Sequence, residues 1–251
     1  MSLLRRVRDR IVSLRSPGGG VDRPKAYVNQ KFVGDRIGAR GPFVGFSFQN
    51  CEFQSSVVGF GPTFSDRTVV RNMMIKDCST RGVQVGPVIL EDVVIDGLRT
   101  AQLLQVWGPA LKHVAIRGRI GRLMISDLHD PSASPEDKRA FKAANAAYYK
   151  TVDWAIDISD AEFEEADFRG VPGELVRRDS RDQALVRRND LLDGRWRSVD
   201  LTGTWFGTAL ELMLDRNWES YVLVAPRRDK AYGILVKAIG RLRDAGVAVS
   251  D

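Results

Sequence analysis

The feature that most constrains this chain is a repeat. From residue 26 onward, short runs of Val, Ile and Phe alternate with polar residues and glycine, the texture of strands and turns. One six-residue pattern recurs: apolar, any, small polar or His, apolar or Cys, any, Ile or Phe. It reads Phe48-Gln49-Asn50-Cys51-Glu52-Phe53, then Val70-Arg71-Asn72-Met73-Met74-Ile75. Leu90-Glu91-Asp92-Val93-Val94-Ile95 and Leu111-Lys112-His113-Val114-Ala115-Ile116 follow. The starts at Phe48, Val70, Leu90 and Leu111 are almost evenly spaced, and Gly-Pro pairs at 41–42, 61–62, 86–87 and 108–109 keep similar time. A period near 21 with several short strands per repeat fits coils of a right-handed parallel β-helix, stacked about 4.8 Å apart. The Ile and Phe positions then face a continuous interior, and the Asn and Asp positions sit at bends. A β-sandwich also uses short strands between turns; the fixed period favours the β-helix.

Three segments follow. Residues 1–25 form a basic amphipathic helix and a Gly-rich linker, with Leu3, Leu4, Val7, Ile11 and Leu14 at helical spacing before Ser16-Pro17-Gly18-Gly19-Gly20. Residues 26–172 form the β-helix, interrupted by a helical insertion at about 131–150 that should project from the stack. Ser134-Pro135-Glu136-Asp137 opens that helix: serine as N-cap, proline in the first turn, acids beside it. Residues 173–251 form an Arg-rich connector and an α/β capping segment. In it Leu210, Met213 and Leu214 lie at helical spacing, Tyr221-Val222-Leu223-Val224 reads as a buried strand, and a helix through Leu235, Ile239 and Leu242 stops at Gly246. A β-helix end needs such a cover, because open strand edges invite aggregation.

Beyond the insertion, Ile158-Ser159-Asp160-Ala161-Glu162-Phe163 restores the pattern, about two periods and some slack after Leu111. Ala161-Glu162-Phe163-Glu164-Glu165 and Ala166-Asp167-Phe168-Arg169-Gly170 are tandem units that resemble the pentapeptide-repeat family. The strict match covers residues 158–170, and the other coils are degenerate. The resemblance implies a right-handed quadrilateral β-helix of four pentapeptides per coil, with Ala and Phe facing inward. It carries over no catalytic residue. Some members protect type II topoisomerases by imitating DNA, which takes an acidic surface; this chain carries a net charge of +6.

Composition closes off several classes. No apolar run approaches the ~20 residues that cross a bilayer as a helix. Cys51 and Cys78, with His113 and His129, are too few for a disulfide scaffold or a four-ligand zinc site, so no metal is expected. The glycine clusters lack a phosphate-binding context, and there is no nucleophile elbow, so no cofactor is expected either. Two thiols and no clear signal peptide point to the cytoplasm, in a chain of bacterial type.

The weak catalytic candidates are Asp127, His129 and Asp130, the densest acid and imidazole cluster and one that borders the insertion. With them, a glycan-active β-helix enzyme is one alternative. Nucleic acid or an anionic membrane is another, through Arg5, Arg6, Arg8 and Arg10 in a segment that holds most of the net charge. Carboxylates at bends are what turns require in any case, which favours a non-catalytic scaffold with an unidentified protein partner. Tyr148, Tyr149, Trp196 and Arg197, outside the repeat, have the side-chain types of binding hot spots.

Overall fold

The computed structural model describes residues 25–37, 42–59, 67–127 and 134–249. The expected N-terminal helix, with Arg5, Arg6, Arg8 and Arg10, lies outside the described residues, as do His129 and Asp130.

Residues in the β region meet, in parallel register, partners one repeat further along the chain. Lys25 lies opposite Phe46, and Arg36 opposite Val57. Val70 lies opposite Leu90, and Leu90 opposite Leu111. Each course of the chain is thus one tier on the last, and the described strands up to Val176–Arg177 join in one 15-stranded sheet. The sheet is parallel throughout and curls into a half-barrel rather than a closed solenoid. The long strands Thr68–Arg81, Val88–Thr100 and Ala110–Ser126 form the third, fourth and fifth tiers.

What bends a strand inside a tier is a column of left-handed residues. Gly45, Asn72, Asp92 and His113 stack at one corner with φ of 75°, 51°, 57° and 55°. Asn29, Asn50, Asp77, Gly97 and Gly118 stack at the next, with φ between 51° and 75°. Glycine, Asn and Asp enter this region at least cost. Gly86, at a third corner, also has no room for a side chain: a Cβ there would lie 2.0 Å from the Trp107 carbonyl oxygen.

These columns correct the expected register. Phe48 lies opposite Ile75, and the residue opposite Val70 is Phe43. The six-residue pattern matched Phe48 to Val70 because both corners use one rule: inward apolar, left-handed polar, inward apolar. Similarly, Ile158 is not in register with Leu111; Ile156 lies opposite Val114. After the insertion the period returns, with Ile156 opposite Val176 in the next tier.

The insertion holds α1, Pro135–Tyr149, capped by the Ser134 hydroxyl, which accepts from the Asp137 amide at 3.0 Å. It lies against the stack instead of projecting. Phe141 and Tyr149 are buried, the Arg67 guanidinium sits 3.9 Å from the Phe141 ring, and Asn145 donates to the Pro109 carbonyl. The helix is Ala-rich with large side chains at few positions, so those side chains decide where it docks.

The C-terminal segment is a three-stranded antiparallel sheet, with Gln183–Arg187 between Ser220–Val224 and Ala248–Val249. Helices α2 (Phe206–Arg216) and α3 (Tyr232–Asp244) cover one face. Ala184, Val186, Tyr221 and Leu223 point to the helices, while Leu185, Val222 and Val224 join the core of the stack. Alternation along a strand sends successive side chains to opposite faces. Both faces being covered explains why Ser220–Val224 is buried at every position. The strand Gln183–Arg187 lies within the segment expected to be a polar connector.

Candidate functional site

A cleft of about 590 Å³ lies where the stack meets the C-terminal segment. Its floor is the outer face of two paired strands, Ala110–Ser126 and Ala161–Phe168. Leu123 and Ile125 face inward opposite Ala166 and Phe168, so the alternate pairs Arg122–Glu165 and Met124–Asp167 face the cleft. The tandem pentapeptide-like units therefore supply its acidic side. The opposite wall is Trp205 and, from α2, Thr208, Ala209 and Leu212. Asn217, left-handed at φ 52°, ends α2 and turns the chain toward the stack, which brings Trp218 and Tyr221 into the wall. The turn at Pro226, Arg228, Asp229 and Lys230 closes the rim.

Most polar groups here are held by the protein itself. The Tyr221 hydroxyl donates to Asp167 Oδ1 at 2.6 Å, and Arg169 donates to Asp167 Oδ2 at 2.7 Å. Burial, then the charge of Asp167, pushes the Tyr221 hydroxyl well above its ordinary value, so it stays a donor. The Trp218 indole donates to Asp127 Oδ2 at 2.9 Å while its ring stacks on Tyr221 at 5.7 Å. Arg228 spans the joint, donating to the Ile120 carbonyl at 3.1 Å and to Glu164 at 2.7 Å. Arg122, Glu165 and Lys230 line the cleft and form no ion pair among the described residues.

Comparison with family models, with curated proteins and with solved structures found no match to this chain.

Of the expected site residues, Asp127 is half-buried at the edge of the cleft and already bonded to Trp218. Tyr149 and Trp196 are buried in the two cores. Tyr148 is half-buried, its hydroxyl donating to Glu91 at 2.9 Å. Arg197 is exposed with its guanidinium 4.4 Å from the Trp196 ring. These four side chains do not converge: Tyr148 and Tyr149 belong to α1, Trp196 and Arg197 to a 3-10 turn at Arg195–Ser198. Much of the Arg-rich stretch is ion-paired, Arg181 with Asp179, Arg187 with Glu174 and Arg195 with Asp193.

The second polar cluster follows the corner column. His113 Nδ1 lies 3.1 Å from Asp92 and Nε2 2.7 Å from Asp153. Trp154 stacks on the imidazole at 4.7 Å, and the Arg177 guanidinium covers Trp154 at 4.2 Å. With both ring nitrogens bonded to carboxylates, this imidazole has no free lone pair for general-base work. Among the described residues, no three His, Cys, Asp or Glu side chains are grouped to hold a metal ion, and no helix is long and apolar enough to cross a membrane.

The capping role of this segment was expected from the sequence; that Trp205, Trp218 and Tyr221 would share a cleft with Arg122 and Asp167, far away along the chain, was not. The one local signal is composition: an aromatic on each side of α2, next to an apolar helical stripe.

Proposed function

We propose that this chain is a non-catalytic binding protein, a right-handed β-helix whose cleft beside the C-terminal segment takes an extended piece of a protein partner. The parallel pairing of each tier with the next and the columns of left-handed corners support the β-helical reading. Cys51 and Cys78, both free and buried, fit a reducing cytoplasmic setting. The observation that carries the binding reading is the division of labour in the cleft. Asp167, Glu164 and, at the edge, Asp127 are bound by the protein's own donors, while among the described residues Arg122 and Glu165 on the floor and Lys230 at the rim form no ion pair. Fixed polar walls with free charges of both signs suit recognition of a mixed-charge segment. Hydrolytic work on a glycan takes two available carboxylates; among the described carboxylates that line the cleft, Glu164, Asp167 and Asp229 are hydrogen-bonded and Glu165 is in no ion pair.

Selection of a displayed peptide library on the full chain tests this. Enrichment should disappear with Arg122→Glu and Lys230→Glu combined, and survive Arg197→Ala. Equal enrichment on all three proteins, or none on the wild type, would count against the cleft. A glycan ligand is the second reading, favoured by Trp205, Trp218 and Tyr221 beside these carboxylates. Quenching of tryptophan fluorescence by an oligosaccharide, absent in Trp205→Ala, would favour it over a protein partner.

A further inference from the structure

The interior of the stack is not evenly filled. The second tier points Phe43, Phe48 and Phe53 inward; the residues opposite them in the third tier are Val70, Ile75 and Thr80. Three rings are thus followed by three smaller side chains, and Leu90 and Ile95 follow two of these in the fourth tier. The sixth tier returns to rings, with Phe163 opposite Ile120 and Phe168 opposite Ile125. Between the aromatic tiers lies a cavity of about 160 Å³ with an almost wholly apolar lining. Exposure follows the same course. Ile75, Val85, Leu90 and Ile95 remain half-buried although they face the interior. Leu111, Ile116 and Ile125, their counterparts in the fifth tier, are 1–4% exposed.

We infer that this cavity is a binding site for an uncharged straight-chain alkyl group of about six carbons, the size that a cavity near 150 Å³ accommodates. Apolar walls of this kind stay dry and gain dispersion contacts when filled. The shape favours a chain over a ring. Its lining takes one residue from each of four successive tiers, Phe43, Val70, Leu90 and Leu111, so the space extends along the stack. Charge sets the class further: no lysine or arginine is among the lining side chains, and Asp35 is, which disfavours a carboxylate head.

The test is titration of 1-hexanol into the full chain, followed by methyl NMR. Saturable cross-relaxation to Ile75 and Ile95, and none to Ile239 of α3, is the expected result. Restoring the rings with Val70→Phe and Thr80→Phe should weaken binding by about tenfold or more, and hexanoate should bind about tenfold more weakly than hexanol. Silent Ile75 and Ile95 methyls in the wild type would overturn the site, whatever the variants do. Hexanoate binding as tightly as hexanol would overturn the assigned ligand class.

Discussion

In the stack a residue finds its partner about one repeat along, tier after tier: Ile75 on Ile95 on Ile116. In the C-terminal segment the strand Gln183–Arg187 meets Ser220–Val224 once, antiparallel, and both faces are covered. The stack spreads its stability over similar neighbour contacts, so it tolerates loose tiers such as the third and fourth. The C-terminal segment depends on a few particular bonds at the joint. Gln183 donates to the Ile158 carbonyl and Arg228 to the Ile120 carbonyl across it, while next to it, within the segment, Arg227 donates to Asp182 and to Asp179 at 2.5 Å each. Periodic contacts build the stack, and singular contacts place one unit against it.

The largest effect should come from charging the stack where it is tight. Ile116→Asp buries a carboxylate with no partner and should cost at least about 3 kcal/mol, lowering the melting temperature sharply. Ile95→Asp, beside the cavity, should cost less, because the space there lets the new carboxylate recruit a water that an apolar wall excludes. Equal losses in the two variants would mean that the third and fourth tiers are as tightly packed as the fifth.

Next comes the joint. Asp182 is 1% exposed and its strongest partner is Arg227, so Arg227→Met leaves a buried charge uncompensated, at a cost of about 3 kcal/mol. Trp196, Trp205 and Trp218 lie in the C-terminal segment and Trp107 and Trp154 in the stack, so with Trp107 and Trp154 replaced by Phe the fluorescence reports the segment, while far-ultraviolet dichroism reports the whole chain. In this variant the fluorescence transition should precede the dichroism transition. Coincident transitions would show that segment and stack unfold as one.

The two regions were also unequally legible. Period, inward positions and corner residues of the stack are local patterns, and Ala161, Phe163, Ala166 and Phe168 are buried as alternation requires. The register failed at Phe48 because two corners of one tier obey the same rule, and no short pattern tells them apart. α2, α3 and the strand at 220–224 announce themselves by apolar spacing. The strand at 183–187 does not: its Ala184-Leu185-Val186 core is brief and arginines flank it, so composition reads as connector. The cleft has no sequence signature at all, since it exists only once residues 122–169 and 205–230 are folded together.

Acid should act on the C-terminal segment through Asp179. Arg181 first, then Arg227, hold the Asp179 carboxyl well below the ordinary carboxylate range. A depressed folded pKa contributes stability that is present above the unfolded value, near 3.8, and is lost as pH falls through the folded one. Acid titration should therefore release the tryptophan signal only below the ordinary range. Asp179→Asn should weaken the segment at neutral pH and reduce that acid dependence. A midpoint unchanged by Asp179→Asn would assign the acid transition to other carboxylates.

The smallest effect tests the corner column. Asp153 is the first cause that raises the His113 pKa; burial opposes it, and Asp92 adds to the rise. A raised folded pKa contributes stability that is complete below the unfolded value, near 6.5, and is lost as pH climbs through the folded one. The groups facing the imidazole are Asp92, Asp153 and the Trp154 ring, with Arg177 beyond the ring. His113→Asn keeps a residue suited to φ 55°, as Asn72 does in the same column, and removes the titrating charge together with the ring stacked on Trp154. Its melting temperature should fall slightly below wild type in mild acid and approach it at alkaline pH. All four groups are at the surface, so the gap should also shrink with salt. A gap that is constant across pH would mean that His113 acts by its shape and stacking on Trp154, with the carboxylates contributing nothing.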